Sequence, residues 1–95
     1  MKLNPKAERL VRELEAIVDK LFPEVRRETG RFHSGVCTLH GRTVLFINSS
    51  QTADERIAAL ASAIARCDIN GIYLKPAIRA EVERYAPAAQ QLSDH

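Results

Sequence analysis

The chain has no tryptophan, one methionine, two cysteines and four glycines in 95 residues, and its aromatic side chains are three Phe and two Tyr. Each shortage excludes something. Two cysteines cannot build a disulfide framework, and Cys37 falls in a strand-like run while Cys67 falls at a helix end, so both are read as reduced thiols. The few aromatics leave little surface for stacking nucleic-acid bases. Residues 48–56 follow an apolar run and precede a helix, yet hold neither Gly nor Lys, which rules out a phosphate-cradling loop of the Walker type. No apolar run approaches the roughly 20 residues that a membrane helix requires. Met1-Lys2-Leu3-Asn4-Pro5-Lys6 leads into a charged helix rather than an apolar signal core. A cytoplasmic protein without a membrane partner is expected.

Charge of one sign is also scarce: Lys and Arg number 14 against 12 Asp and Glu, a net charge of +2. The excess lies in the first 31 residues, where Arg26, Arg27 and Arg31 are interleaved with Glu24 and Glu28. That is a weak electrostatic footprint for nucleic acid. The length suits one modest core, so residues 1–87 are read as a single domain and 88–95 as a frayed C-terminal tail.

What is present is periodicity. Asn4-Pro5 caps and opens a helix in which Leu10, Val11, Leu14, Ile17, Val18 and Leu21 recur at spacings of three and four. Pro23 ends it, and 24–30 reads as a polar connector or a short extra turn. Phe32–Leu39 and Arg42–Asn48 are strand-like runs joined by His40-Gly41, a two-residue hairpin connection. That turn sets Leu39 opposite Arg42, Cys37 opposite Val44, Gly35 opposite Phe46 and Ser34 opposite Ile47. Val44–Ile47 is apolar on both faces, as an inner strand is, and Ile72-Tyr73-Leu74 is the segment expected to pair beside it.

A second helix presents Ile57, Leu60, Ala61 and Ile64, and a third begins at Pro76 with Ile78, Val82 and Tyr85 in a stripe and Pro87 ending it. The expected class is therefore α+β: helix, β-hairpin, helix, short strand, helix, with the helices packed on a two- or three-stranded, mainly antiparallel sheet. At the start of the second helix, Thr52-Ala53-Asp54-Glu55 fits a capping box, and its carboxylates fill the place at the helix dipole that an anionic ligand would take.

Candidate chemistry is thin. His33, Cys37 and His40 fall within one short stretch and are the candidate metal ligands, with Cys67 a fourth; their spacing fits no familiar zinc pattern. The alternative to coordination is a small buried thiol and two surface imidazoles. Neither cysteine sits at a helix N-terminus, where nucleophilic thiols are activated, and Ser49, Ser50 and Ser62 lack elbow glycines. Tyr73, Lys75 and Arg79 are candidate partner-binding residues, Tyr and Arg being favoured interface anchors.

Val44-Leu45-Phe46-Ile47-Asn48, a short polar loop, Glu55-Arg56 and Leu60-Ala61 together resemble the strand, loop and active-site helix of the small ImmA/IrrE-type zinc metallopeptidases. The resemblance spans about residues 5–67. It implies a helix before a hairpin, then a helix whose Leu-Ala is followed by His-Glu-x-x-His. Here Ser62-Ala63-Ile64-Ala65-Arg66 follows, so both imidazoles and the general base are missing and no catalytic residue carries over. The resemblance thus implies a zincin-like scaffold without its metal site. Asp68-Ile69-Asn70-Gly71-Ile72-Tyr73-Leu74-Lys75-Pro76-Ala77-Ile78-Arg79 also resembles a segment of a group of small bacterial proteins, from which no activity transfers.

The expected function is a non-enzymatic domain that binds another protein or a second copy of itself, because a hairpin in so small a sheet leaves an edge open for pairing. A small metal-dependent enzyme or regulator built on His33, Cys37 and His40 is the alternative, and a weak nucleic-acid binder using Arg26, Arg27 and Arg31 is the third reading. No cofactor is expected. A deep polar groove beside Ser62 and Arg66 would favour an enzyme.

Overall fold

The computed structural model describes residues 4–85. Helix α1 spans Pro5–Leu21, and the Asn4 side chain accepts from the N–H groups of Lys6 at 3.1 Å and Ala7 at 3.3 Å, which satisfies donors that the first turn leaves free. The helix stops at Phe22, one residue before Pro23. Strands β1 (Glu24–Glu28), β2 (Gly35–Leu39) and β3 (Arg42–Asn48) follow, then α2 (Ala53–Ala65) and α3 (Pro76–Tyr85). The expected frayed tail, residues 88–95, lies outside the described residues, as do the expected domain end at Pro87 and residues 1–3.

The sheet has the order β1-β3-β2 and is mixed: β1 runs parallel to β3, and β2 antiparallel. This corrects the mainly antiparallel expectation, and it corrects the identity of the third strand. Glu24–Glu28 pairs with β3, whereas Ile72–Leu74 forms no strand. Four of the five residues of β1 are charged, which hides a strand from hydrophobic periodicity. Val25 supplies its core contact. On the same face, Arg27 reaches Glu15 at 2.8 Å and Asp19 at 3.1 Å on α1, so its charge is met rather than buried alone. The hydrogen bond that Arg27 donates to the Glu15 carboxylate is the main reason its guanidinium pKa is raised. Leu74 is buried instead as an anchor of the segment leading into α3.

The hairpin register is the one that the turn dictates. His40 and Gly41 have φ of 53° and 78°, the paired positive values of a type I′ turn, and Leu39↔Arg42, Cys37↔Val44 and Gly35↔Phe46 are paired. Ser34 departs from its expected place opposite Ile47. It lies outside β2, where its hydroxyl takes the Asn48 N–H at 2.7 Å.

α1 and α2 pack against one face of the sheet, and α3 packs against α2 and α1. Val11, Leu14 and Val18 of α1, Leu60, Ala61 and Ile64 of α2, and Ile78 and Val82 of α3 join Leu45 and Ile47 in one core. Each fully buried Leu or Ile of this set contributes about 1.5–3 kcal/mol relative to exposure. The opposite sheet face carries Val44, Phe46 and an ion group in which the partly buried Glu24 pairs with two exposed arginines, Arg26 at 2.8 Å and Arg42 at 3.2 Å. Phe32 meets Phe46 edge-on, with centroids 6.4 Å apart.

Candidate interaction cleft

The two outer strands of the sheet are unlike. β1 reads Glu-Val-Arg-Arg-Glu; β2 reads Gly-Val-Cys-Thr-Leu, with no charge, no proline and no paired neighbour on its outer side among the described residues. Charged side chains are a common protection of a sheet edge, and only one edge has it. In the β2–β3 ladder, Leu39, Cys37 and Gly35 are the residues that exchange bonds with β3, because a two-residue turn makes its flanking pair hydrogen-bonded and the pattern alternates from there. The backbone N–H and C=O groups of Val36 and Thr38 therefore point outward. Their side chains share the helix-facing side of the sheet with Leu45, and Val36 is 38% exposed there.

Beside this edge runs a cleft of about 400 Å³ between β2 and α2. Its helix side is made of small groups, Ala58, Ala59, Ser62 and Ala63, with Glu55 and Arg66 bordering it near the two ends of α2. Ser34, Gly35 and Val36 form the strand side. Glu55 is committed to the capping box: its carboxylate accepts from the Thr52 N–H at 2.9 Å while Thr52 Oγ1 accepts from the Glu55 N–H at 3.1 Å. Arg66 caps the other end of α2, and among the described residues it is in no ion pair.

A polar hub holds the near end of the cleft in place. Asn48 is 3% exposed; its amide donates to the carbonyls of Gly30 at 2.8 Å and Phe32 at 2.6 Å, and its oxygen accepts from the Ser50 N–H at 3.0 Å and hydroxyl at 2.6 Å. Ser34 Oγ donates to Gln51 at 2.6 Å. With Asn48 on its other side, that hydroxyl is spent on positioning the loop before β2, which leaves it poorly placed to act as a nucleophile.

The sequence-predicted residues are scattered around this frame. His33 borders the cleft in the segment preceding β2, Cys37 lies at the centre of β2 on the face turned from the helices, and His40 is in the turn. Cys37 is exposed, contrary to the expectation of a buried thiol, because only β3 flanks it and no helix covers that face. Among the described residues no three His, Cys, Asp or Glu side chains come together as a metal site. Cys67 is half-buried, its thiol donating to the Ala63 carbonyl at 3.4 Å, and burial pushes its pKa up.

Tyr73 is 79% exposed, Lys75 pairs with Glu13 at 3.3 Å, and Arg79 borders a separate hollow beside Cys67; none of the three borders the β2–α2 cleft. Of the basic trio, Arg26 and Arg27 are held by carboxylates, while Arg31 is exposed. No helix of the described residues is long and apolar enough to cross a membrane.

Val36 and Thr38 were not singled out by sequence reasoning, although the signal was available in the uncharged composition of β2. The small face of α2 had no such signal, since Ala and Ser on a helix surface read as solvated. No protein-family model, curated protein or solved structure matches the chain.

Proposed function

We propose that this domain is a non-enzymatic protein-interaction module that takes up an extended segment as an additional strand along β2. The carrying observation is the contrast between its edges: β1 is charged at four of five positions and β2 at none. Strand addition takes its affinity from main-chain hydrogen bonds and its selectivity from pockets for alternate side chains. Val36 and Thr38 offer the first, and the cleft over Ala58, Ala59 and Ser62 offers the second.

The resemblance to zinc metallopeptidases supports the same reading. Ser62, Ala63 and Arg66, which stand where that family has its chemistry, all border this cleft. A scaffold that keeps the groove and lacks the metal-binding side chains is left with binding. The hydroxyl of Ser34 is engaged and Glu55 caps a helix, which also favours recognition over catalysis.

The test is selection from a display library of random linear peptides. Retained peptides should protect the Val36 and Thr38 amides from hydrogen exchange, and Thr38→Pro should abolish retention, since it removes an outward N–H without touching the bonds to β3. Peptides that bind Thr38→Pro and Thr38→Lys as well as the parent chain would contradict the reading.

A further inference from the structure

We propose that the strand received by β2 is β2 of a second copy of this chain, paired antiparallel about a twofold axis with Cys37 opposite Cys37 and Val36 opposite Thr38. This rests on the strand-addition reading above and names its occupant. An isologous contact requires a patch complementary to itself, and β2 meets that requirement residue by residue.

The backbone comes first. Only Val36 and Thr38 turn their N–H and C=O groups outward, so only registers that set outward residues against outward residues can bond. Among these, the register centred on Cys37 is the one in which all of Gly35–Leu39 pairs with itself. Val36 then exchanges both bonds with the second copy's Thr38, and the symmetry repeats the exchange.

Side chains on both faces fit that register. On the face away from the helices, Leu39, 37% exposed, falls opposite the second copy's Gly35, around which a Cβ would meet nothing within 4 Å. An exposed leucine thereby gains an apolar cover where there is room for it. On the helix face, Val36 falls opposite Thr38, a β-branched pair suited to cross-strand packing, and the small side chains of α2 leave space beneath the incoming strand.

Charge points the same way. β2 carries none, so self-pairing brings no like charges together, whereas β1 paired with itself would set a charge-dense strand against its copy. The joined sheet has the order β1-β3-β2 continued by its mirror sequence of strands, and both of its remaining edges are the charged β1. Both unprotected edges are removed at once.

A single strand pair with its cleft walls is at the small end of specific interfaces, so association depends on concentration. In sedimentation equilibrium the mass should rise from that of one chain, 10.6 kDa, toward twice that value as concentration increases. Thr38→Lys and Thr38→Pro should each raise the dissociation constant at least tenfold while keeping the parent Tm measured at monomer concentration. Cys37 reports the register: its paired Cα atoms would be about 4.5 Å apart, within the range of about 4.4–6.8 Å that a disulfide spans.

With diamide, which takes up the two protons and two electrons released by the thiols, Cys67→Ser should form a covalent dimer. Cys37→Ser should stay dimeric by mass but not crosslink. A chain that is monomeric at all concentrations, a dimer indifferent to both Thr38 variants, or crosslinking no faster through Cys37 than through Cys67 overturns the proposal. If the chain is monomeric while display-selected peptides still protect Val36 and Thr38, the second copy is overturned and strand addition stands. If neither binds there, both fail.

Discussion

Asn48 ends the central strand by donating its backbone N–H to Ser34 Oγ at 2.7 Å, which pins the segment before β2 to the end of β3. The same residue spends its side chain on Gly30, Phe32 and Ser50. Since Ser34 and Gln51 both border the cleft, this hub sets the separation of its strand and helix walls.

Asn48→Ala is expected to be strongly destabilising. It removes the partner of the Phe32 carbonyl and of the Ser50 N–H, both part-buried, takes one of two donors from the Gly30 carbonyl, and empties the buried site of the Asn48 side chain. The cost is about 2–3 kcal/mol, which at about 4–8 °C per kcal/mol for a domain of this size lowers Tm by about 8–24 °C. Asn48→Asp should be no milder, because a carboxylate would face two carbonyl oxygens. Thermal denaturation followed by circular dichroism checks both, and an unchanged Tm in Asn48→Ala would show that the hub is dispensable.

Thr52→Ala separates the start of α2 from the cleft. Thr52 supplies one half of the capping box, and its loss costs about 1 kcal/mol. Glu55 then loses the geometry that holds its carboxylate at the Thr52 N–H. Thr52→Ser keeps the acceptor oxygen and should recover most of the loss in chemical denaturation. Equal destabilisation by Ala and Ser would mean that the threonine methyl, rather than the cap, is what matters.

Much of this fold is legible from the sequence where local chemistry decides. His40-Gly41 fixes the hairpin register because a two-residue turn with positive φ at both positions permits one alignment of the flanking residues. Asn4-Pro5 and Thr52-x-x-Glu55 likewise mark where α1 and α2 begin. β1 is illegible because its pairing is set from outside: Arg27 belongs on the inner face only once Glu15 and Asp19 of α1 are there to receive it. Ile72–Leu74 misleads for the converse reason, being an apolar run that anchors a loop to a core already built. The cleft is hidden because periodicity reports the face of α2 that packs, Ile57, Leu60 and Ile64, and is silent about whether its small opposite face is wet or roofed.

The two thiols should differ in reactivity. Cys37 is exposed, whereas Cys67 is half-buried and burial disfavours its thiolate. Alkylation of the monomer by iodoacetamide near neutral pH should therefore modify Cys37 first, with Cys67 slower by about tenfold or more. The sign for stability follows: a thiol pKa raised in the folded state means stabilisation that is fully present below the unfolded thiol pKa and is lost as pH rises through the folded one. Cys67→Ala should flatten that alkaline decline. Peptide mapping that finds Cys67 labelled as fast as Cys37 would place its sulfur in solvent.

Ser62→Leu distinguishes a cleft that binds from one that merely exists. Ser62 is half-buried on the side of α2 that faces β2, so leucine there extends into the cleft rather than into the packed core. Leucine is the better helix former by a few tenths of a kcal/mol, and the extra apolar surface lies against Val36 and Ala59, so the fold should be as stable as before or slightly more so. Binding along β2 should nevertheless weaken by about tenfold or more, because the side chains of an added strand lose the space beneath them. Stability and association thus move in opposite directions, which no general unfolding effect produces. A variant that keeps full association while filling the cleft would show that the β2 edge binds through its backbone alone.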